Sequence, residues 1–333
     1  MPLAVKAKQL WPDAKLTWVV DCGAASLLDG HAAVDEVLTI DKRWLKSPGR
    51  WKSLRSELQS RAFDLVLDPQ GLSKSSLLGC LSGATHRVGF DYSQAREVAP
   101  LLATRRIRRT ARHMVDCYLQ LLSPWCTLTP GSGEFKMPVY KDAISSAEQI
   151  QAHLSLKSWE SDRWVAINAG AGWPSKQWPP ERFGRIAFEI QQKFKVPSLV
   201  IWGGNYERAL AEQIAEHSGG AAVVAPETNL RELVELIRRA YLLISSDTAA
   251  LQIASAVNTQ CVGLFGPTWA DEVGPYGNRH IAIQSTVLPD RSKGMRRASH
   301  SSMNAIEISE VLRACSQLLG SQALGSRPSA IAA

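Results

Sequence analysis

The chain is 333 residues long, about two average domains. Hydrophobic residues make up 45% and charged residues 21%, ordinary globular usage that excludes a disordered or fibrous chain. Lys and Arg number 38 against 31 Asp and Glu; the resulting +7 suits an anionic small molecule, an anionic membrane surface or nucleic acid alike and separates none of them.

In chain order, Leu3, Val5, Ala7 and Leu10 mark the last turns of an amphipathic helix, Pro12 and Asp13 end it, and 16–20 reads as a buried strand. The sequence thus enters an α/β unit at a helix, with no strand and loop ahead of it. Strands are expected at 37–40, 65–67 and 88–90, and helices over 53–60 and 73–81. Continuous apolar strands separated by helices predict an α/β fold with mostly parallel sheets covered on both faces. The Thr-, Gly- and Pro-rich stretch 127–138 ends the first domain's regular structure, and an amphipathic helix over 143–154 leads into the second. The expected division is 1–155, 156–320 and a flexible, chemically silent Gly/Ser/Ala/Pro tail over 321–333.

The second domain repeats the alternation more clearly. Strands are expected at 164–168, 198–202, 221–224, 242–245, 261–264 and 281–283, with helices over 180–194, 206–217, 230–239 and 249–256. Two α/β units in tandem imply a cleft where two substrates meet away from bulk water.

Several chemistries are absent from the sequence. The six cysteines have no C-x-x-C spacing, which speaks against a zinc ribbon or disulfide framework and for a reducing compartment. No apolar run reaches the roughly 20 residues of a bilayer span. There is no G-x-x-x-x-G-K-[ST] loop and no G-x-G-x-x-G after the first strand, and the seven histidines form no H-E-x-x-H pair, so no metal site is expected.

Three loops of the second domain read as an anion site. N-A-G-A-G-W-P-S-K-Q-W-P at 168–179 leaves a strand; the small residues Ala169 to Gly172, Ala171 and Gly172 among them, allow close approach, and Lys176 can put a cation on phosphates. In L-L-I-S-S-D-T-A-A-L-Q at 242–252, free amides at a helix start can hold a diphosphate while Asp247 or Thr248 orients a hydroxyl; simple helix capping is the alternative. G-P-T at 266–268 turns rigidly at the carboxyl end of the sheet, where Thr268 is the available donor. Glu207, in W-G-G-N-Y-E-R, accepts from sugar or ribose hydroxyls or serves as a helix N-terminal charge.

In the first domain, D-P-Q-G-L-S-K-S at 68–75 brings Lys74 to a helix start. Arg96, Arg105, Arg106, Arg108, Arg109 and Arg112 follow, with Glu97 opposing them, as a face for an acidic partner or a solvated charge run. The run lacks interleaved aromatics, which disfavours nucleic acid. His113 and Asp116 share a face of an expected helix and read as structural on pattern alone.

Together these residues resemble the ADP-heptose-dependent lipopolysaccharide heptosyltransferases of glycosyltransferase family 9. The matching stretches are W-P-D-A-K-L-T-W-V-V at 11–20, D-P-Q-G-L-S-K-S at 68–75, R-V-G-F-D with A-R-E at 87–97, H-M-V-D at 113–116, K-Q-W-P at 176–179, S-D-T at 246–248 and L-F-G-P-T at 264–268. Their order is the family's. The resemblance implies a GT-B fold, two Rossmann-like domains facing across a cleft, the first holding a Kdo-bearing inner-core acceptor and the second the nucleotide sugar. It implies an inverting, metal-independent transfer with no cofactor besides the donor, by a cytoplasmic monomer that touches the inner membrane at most peripherally and binds no nucleic acid. Lys176 and Asp247 then take the catalytic roles; Ala171, Gly172, Glu207, Thr248, Ala249, Gln252 and Thr268 join them around the donor, and Lys74, Arg96, Arg105, Arg109 and His113 hold the acceptor.

Two departures from the family pattern are visible. The family usually opens with a strand and a Gly-Asp loop whose aspartate is the candidate base; Met1 falls after that place, and a start placed too late is the expectation. Where the family reads D-T-G-x-x-H, this chain has Ala249 and Gln252 for the glycine and histidine, and a glutamine cannot become cationic. The rival readings are a family 9 transferase with another nucleotide sugar or envelope glycan, and a catalytically silent GT-B-like binding protein.

Overall fold

The computed structural model describes residues 1–41, 43–46, 48–155, 163–288 and 299–321. The expected tail lies almost wholly outside them. The chain forms two compact units, Met1–Pro138 and a second beginning at Val139.

The first unit runs α1 (Pro2–Leu10), β1 (Thr17–Asp21), β2 (Glu36–Ile40), α2 (Pro48–Gln59), β3 (Leu65–Leu67), α3 (Ser73–Leu81), β4 (His86–Phe90), α4 (Ala99–Leu102), β5 (Arg105–Ile107) and α5 (Met114–Leu119). Among the described residues its strands make two parallel sheets, β1-β2 and β3-β4-β5. β5 was not expected: Arg-Arg-Ile is short and charged, as edge strands that resist further pairing often are. Every residue of β1 and β3 is only half-buried. The apolar side chains collect in separate clusters, one around Val88, Phe90, Cys117 and Leu121, another around Leu38, Trp44, Leu54 and Leu58.

The second unit runs α6 (Lys141–Ser155), β6 (Val165–Asn168), α7 (Pro180–Phe194), β7 (Ser198–Ile201), α8 (Gly204–His217), β8 (Ala222–Val224), α9 (Leu230–Arg239), β9 (Leu242–Ser246), α10 (Ala249–Ala256), β10 (Cys261–Phe265), α11 (Ala270–Val273), β11 (Ile281–Gln284), α12 (Ser301–Asn304) and α13 (Ile308–Ser321). The unit boundary precedes α6 rather than falling at 155/156. α6 packs on α9 and buries Ala143, Ala147 and Ile150, while Arg231–Asp142 (2.8 Å) and Arg239–Glu148 (3.3 Å) link the two helices and buried Glu235 accepts the Tyr140 N–H at 2.9 Å.

Six parallel strands pair in the order β8-β7-β6-β9-β10-β11. The chain winds outward from β6 in one direction and from β9 in the other, the doubly wound order that leaves a crevice where the direction reverses. β6, β7, β9 and β10 are buried at every residue, as strands covered on both faces must be. One continuous core joins them to Ile186 and Ile190 of α7, Ile214 of α8 and Val311 and Cys315 of α13.

Candidate functional site

The crevice of the second sheet lies at the carboxyl ends of β6 and β9, where three of the expected loops converge. Leaving β6, Asn168 donates from Nδ2 to the Gly170 carbonyl (2.9 Å) and to Thr248 Oγ1 (3.4 Å), linking the two strand ends. A short 3-10 turn, Pro174–Lys176, then carries the lysine. The turn is anchored beneath by Trp178, whose ring meets Phe183 edge-on at 4.9 Å and whose Nε1–H donates to the Ile306 carbonyl at 3.1 Å.

Lys176 Nζ lies 2.5 Å from Asp247 Oδ2, with side-chain exposures of 12% and 13%, and 4.2 Å from the centre of the Trp173 ring. The pair joins the loops after β6 and β9 across the reversal point. Thr248 is the N-cap of α10: its Oγ1 accepts from Leu251 N–H at 3.4 Å and lies 2.8 Å from Ser245 Oγ. The capping account of Thr248 therefore holds, and it leaves the first-turn amides of α10, beginning at exposed Ala249, facing the same end of the sheet.

Glu207 stands in the first turn of α8, where its Oε2 accepts the Gly203 N–H at 2.8 Å. Burial raises its carboxyl above the usual range, partly offset by that hydrogen bond. Its carboxyl group fills the space over Gly170: a Cβ there would lie 1.9 Å from the carboxyl carbon. Within the expected run Ala169 to Gly172, Gly170 is thus the glycine whose missing side chain is required, whereas a Cβ at Gly172 meets nothing within 4 Å.

On the far side, Gln252 Nε2 donates to the Val273 carbonyl at 2.8 Å, tying α10 to α11. Thr268 is buried, and its Oγ1 has no hydrogen-bond partner among the described residues. Gln284, which the sequence reading missed, braces this turn by donating to the Phe265 and Thr268 carbonyls at 3.1 and 3.2 Å.

In the first unit, buried Asp68 organizes the loop after β3, accepting from Gln70 and Gly71 N–H groups and from Ser75 and Ser76 hydroxyls. Gly71 has φ +61°, and a Cβ there would meet the Ala95 Cα at 3.0 Å. Lys74 follows in α3, 6.0 Å from the Trp44 ring. Arg96 is exposed next to this loop, its N–H on the Gly71 carbonyl at 2.9 Å. Arg105 lies 5.9 Å from the Trp125 ring. Arg109 is committed to its own loop, donating to Gln94 Oε1 (2.7 Å) and to the Ala111 (3.0 Å) and Arg112 (2.5 Å) carbonyls. His113 is the N-cap of α5 rather than a residue within it, accepting from Val115 N–H at Nδ1 (3.2 Å), and Asp116 accepts from Gly131 N–H (3.1 Å). Both do the structural work that the pattern alone favoured.

The chain is similar to proteins already known. Lipopolysaccharide heptosyltransferase 1 of Pseudomonas aeruginosa is 27% identical over 299 residues, covering 86% of this chain and 79% of the relative. The protein of the same name from Escherichia coli K12 is 26% identical over 297 residues, covering 86% and 88%. Among solved structures, a glycosyl transferase family 9 protein of Veillonella parvula superposes with a TM-score of 0.78 at 19% identity, covering 96% of this chain and 92% of that one. The E. coli heptosyltransferase WaaC with ADP gives 0.74 at 22%, covering 95% and 94%. This chain shares their GT-B fold. The family model for glycosyltransferase family 9 (heptosyltransferase) matches residues 51–300, three quarters of the length, and the chain belongs to that family.

Proposed function

We propose that the chain is an inverting, metal-independent heptosyltransferase that moves a heptose from ADP-heptose to the Kdo-containing inner core of lipopolysaccharide, acting in the cytoplasm. The observation that carries this reading is the convergence of Lys176, Asp247 and the first turn of α10 at the reversal point of the second sheet, a lysine- and amide-lined place suited to a diphosphate that can take the lysine from its carboxylate partner. The structures of WaaC with ADP and with ADP-2-deoxy-2-fluoro heptose support the choice of nucleotide.

In this reading the acceptor oxygen attacks the anomeric carbon from the face opposite ADP. The new C–O bond forms as the bond to the diphosphate breaks, and the hydroxyl proton passes to a base. Lys176 and the α10 amides stabilise charge building on the leaving diphosphate. Glu207 meets ribose hydroxyls and Thr268 supplies its unpaired hydroxyl. Ala171, Gly172 and Ala249 let the ligand approach the backbone. Lys74, Arg96 and Arg105 hold the acidic acceptor, with Arg109 and His113 shaping the loops around them.

Gln252 favours a second reading, a family 9 transferase with a different nucleotide sugar, because its neutral amide is occupied by the Val273 carbonyl and brings no positive charge to a phosphate. Calorimetric titration of the full chain with ADP, UDP and GDP tests the choice. Preferential ADP binding is expected; preference for another nucleotide moves the donor to the second reading, and a folded chain that binds none defeats the donor site. Transfer from none of a panel of nucleotide sugars, despite ADP binding, would favour a silent binding protein.

A further inference from the structure

Two tryptophans flank the lysine of the loop after β6, and the fold uses them differently. Trp178 is 1% exposed, belongs to the continuous core of the second unit and spends its Nε1–H on the Ile306 carbonyl. Trp173 is half-buried and is not part of that core. Packing accounts for the first ring. The second has its centre 4.2 Å from Lys176 Nζ, a cation over an aromatic face.

The backbone sets this contact. A proline keeps the residue before it extended, and Trp173 stands at φ −140°, ψ 143° as the N-cap of the Pro174–Lys176 turn. The turn closes as the Lys176 N–H donates to the Trp173 carbonyl at 3.0 Å, and residues three apart in such a turn lie one above the other. Ring and ammonium therefore fall on one side of the loop. The residue that follows is held as well: the Gln177 N–H donates to the Pro174 carbonyl at 2.9 Å, and its Oε1 accepts the Tyr206 hydroxyl of α8 at 3.0 Å. With Trp178 seated in the core just beyond, the indole is presented by a loop fastened at its far end.

Lys176 thus has two neighbours of opposite kind. Asp247 Oδ2, 2.5 Å away, holds it by charge. A diphosphate would compete with that carboxylate for the same N–H donors and repel it. Indole carries no net charge and accepts through its π face, so it neither repels the anion nor takes the donors the anion needs. Its attraction for an ammonium is strongest where water is excluded, as at a lysine side chain only 12% exposed. A four-carbon stem let go by Asp247 would otherwise recover its rotamer freedom. We propose that Trp173 is a positioning residue of the donor site, its ring steadying the Lys176 ammonium while a diphosphate takes the place of Asp247. The inference rests on the donor reading and adds to it a residue that acts through the lysine without touching the ligand.

The test is calorimetric titration of ADP into the full chain and its variants. Trp173→Leu keeps an apolar side chain without an aromatic face and should bind ADP about 5-fold more weakly, whereas Trp173→Phe should stay within about 2-fold of the wild type, both with the wild-type melting midpoint. In a Lys176→Met background, Trp173→Leu should cost nothing further, because the ring acts through the ammonium. Wild-type affinity in Trp173→Leu, equal losses in Trp173→Leu and Trp173→Phe, or a loss undiminished by Lys176→Met overturns the proposal and leaves the donor site standing. A loss that accompanies a fall in melting midpoint would mark the ring as packing and equally overturn it. A folded wild type that binds no ADP is a separate failure, which removes the donor reading and this inference with it.

Discussion

Lys176 stands between a carboxylate and an aromatic face, and both neighbours come from loops that the sheet reversal brings together. A hydrogen bond to a charged group contributes about 1.5–3 kcal/mol. Lys176→Ala should therefore weaken ADP binding by about 10- to 100-fold in the calorimeter; unchanged affinity would remove the lysine from the phosphate site. Gly170 offers a different kind of test. Gly170→Ala forces its methyl into the Glu207 carboxyl group and should destabilise by about 1–3 kcal/mol, and Gly170→Ala with Glu207→Ala should cost less than the sum of the single changes. Additive losses in denaturant titrations would show that the two residues do not share that space. Lys176, Asp247 and Thr248 were legible in the sequence because their residue types carry charge or capping chemistry after a strand. Gly170 was legible only as one of a run of small residues, because its particular necessity comes from a side chain on α8, and Asn168 was hidden because a strand-ending asparagine gives no sign of which hydroxyl it will meet.

At the scale of elements, α10 depends on one hydroxyl that also meets Asn168 and Ser245. Thr248→Ala should lower stability by about 1 kcal/mol, and Thr248→Ser should restore most of it, read from the denaturant midpoint. β10 and the approach to β11 are joined by Cys261 Sγ and His280 Nδ1, 3.2 Å apart. Burial, helped by the Arg279 charge and opposed by a hydrogen bond with the Tyr276 backbone, pushes His280 down from 6.5 to about 4. The folded chain therefore holds this imidazole neutral in a range where the unfolded chain protonates it. Its contribution is complete above pH 6.5 and is lost as pH falls toward 4. Melting midpoints should fall more between pH 7 and 5 for the wild type than for His280→Gln; parallel slopes would refute this. Helices α7, α9 and α10 were readable to the residue because proline, asparagine and threonine mark their starts. β5 was unreadable because pairing with β4, rather than apolar periodicity, makes Arg-Arg-Ile a strand. α13 was overlooked although Ile308, Val311, Cys315 and Leu318 recur at helical spacing.

Across the whole molecule, the two units differ in how completely they enclose their strands. β6, β9 and β10 are buried throughout, whereas β1 and β3 are half-exposed at every residue. Amides of the second sheet should therefore exchange with solvent far more slowly than those of β1 and β3, and ADP should slow the second set selectively; uniform exchange across both units would contradict this. The alternation of strands and helices announced two α/β units, but the boundary follows from the packing of α6 on α9, a tertiary contact that no local pattern reveals. The Lys176–Asp247 pair also bears on turnover. On the proposed donor reading, a diphosphate arriving at that lysine would displace a resident carboxylate instead of meeting a bare ammonium, and on departure would hand the lysine back. Asp247 would thereby act as a built-in competitor, trading tightness of binding for ease of product release.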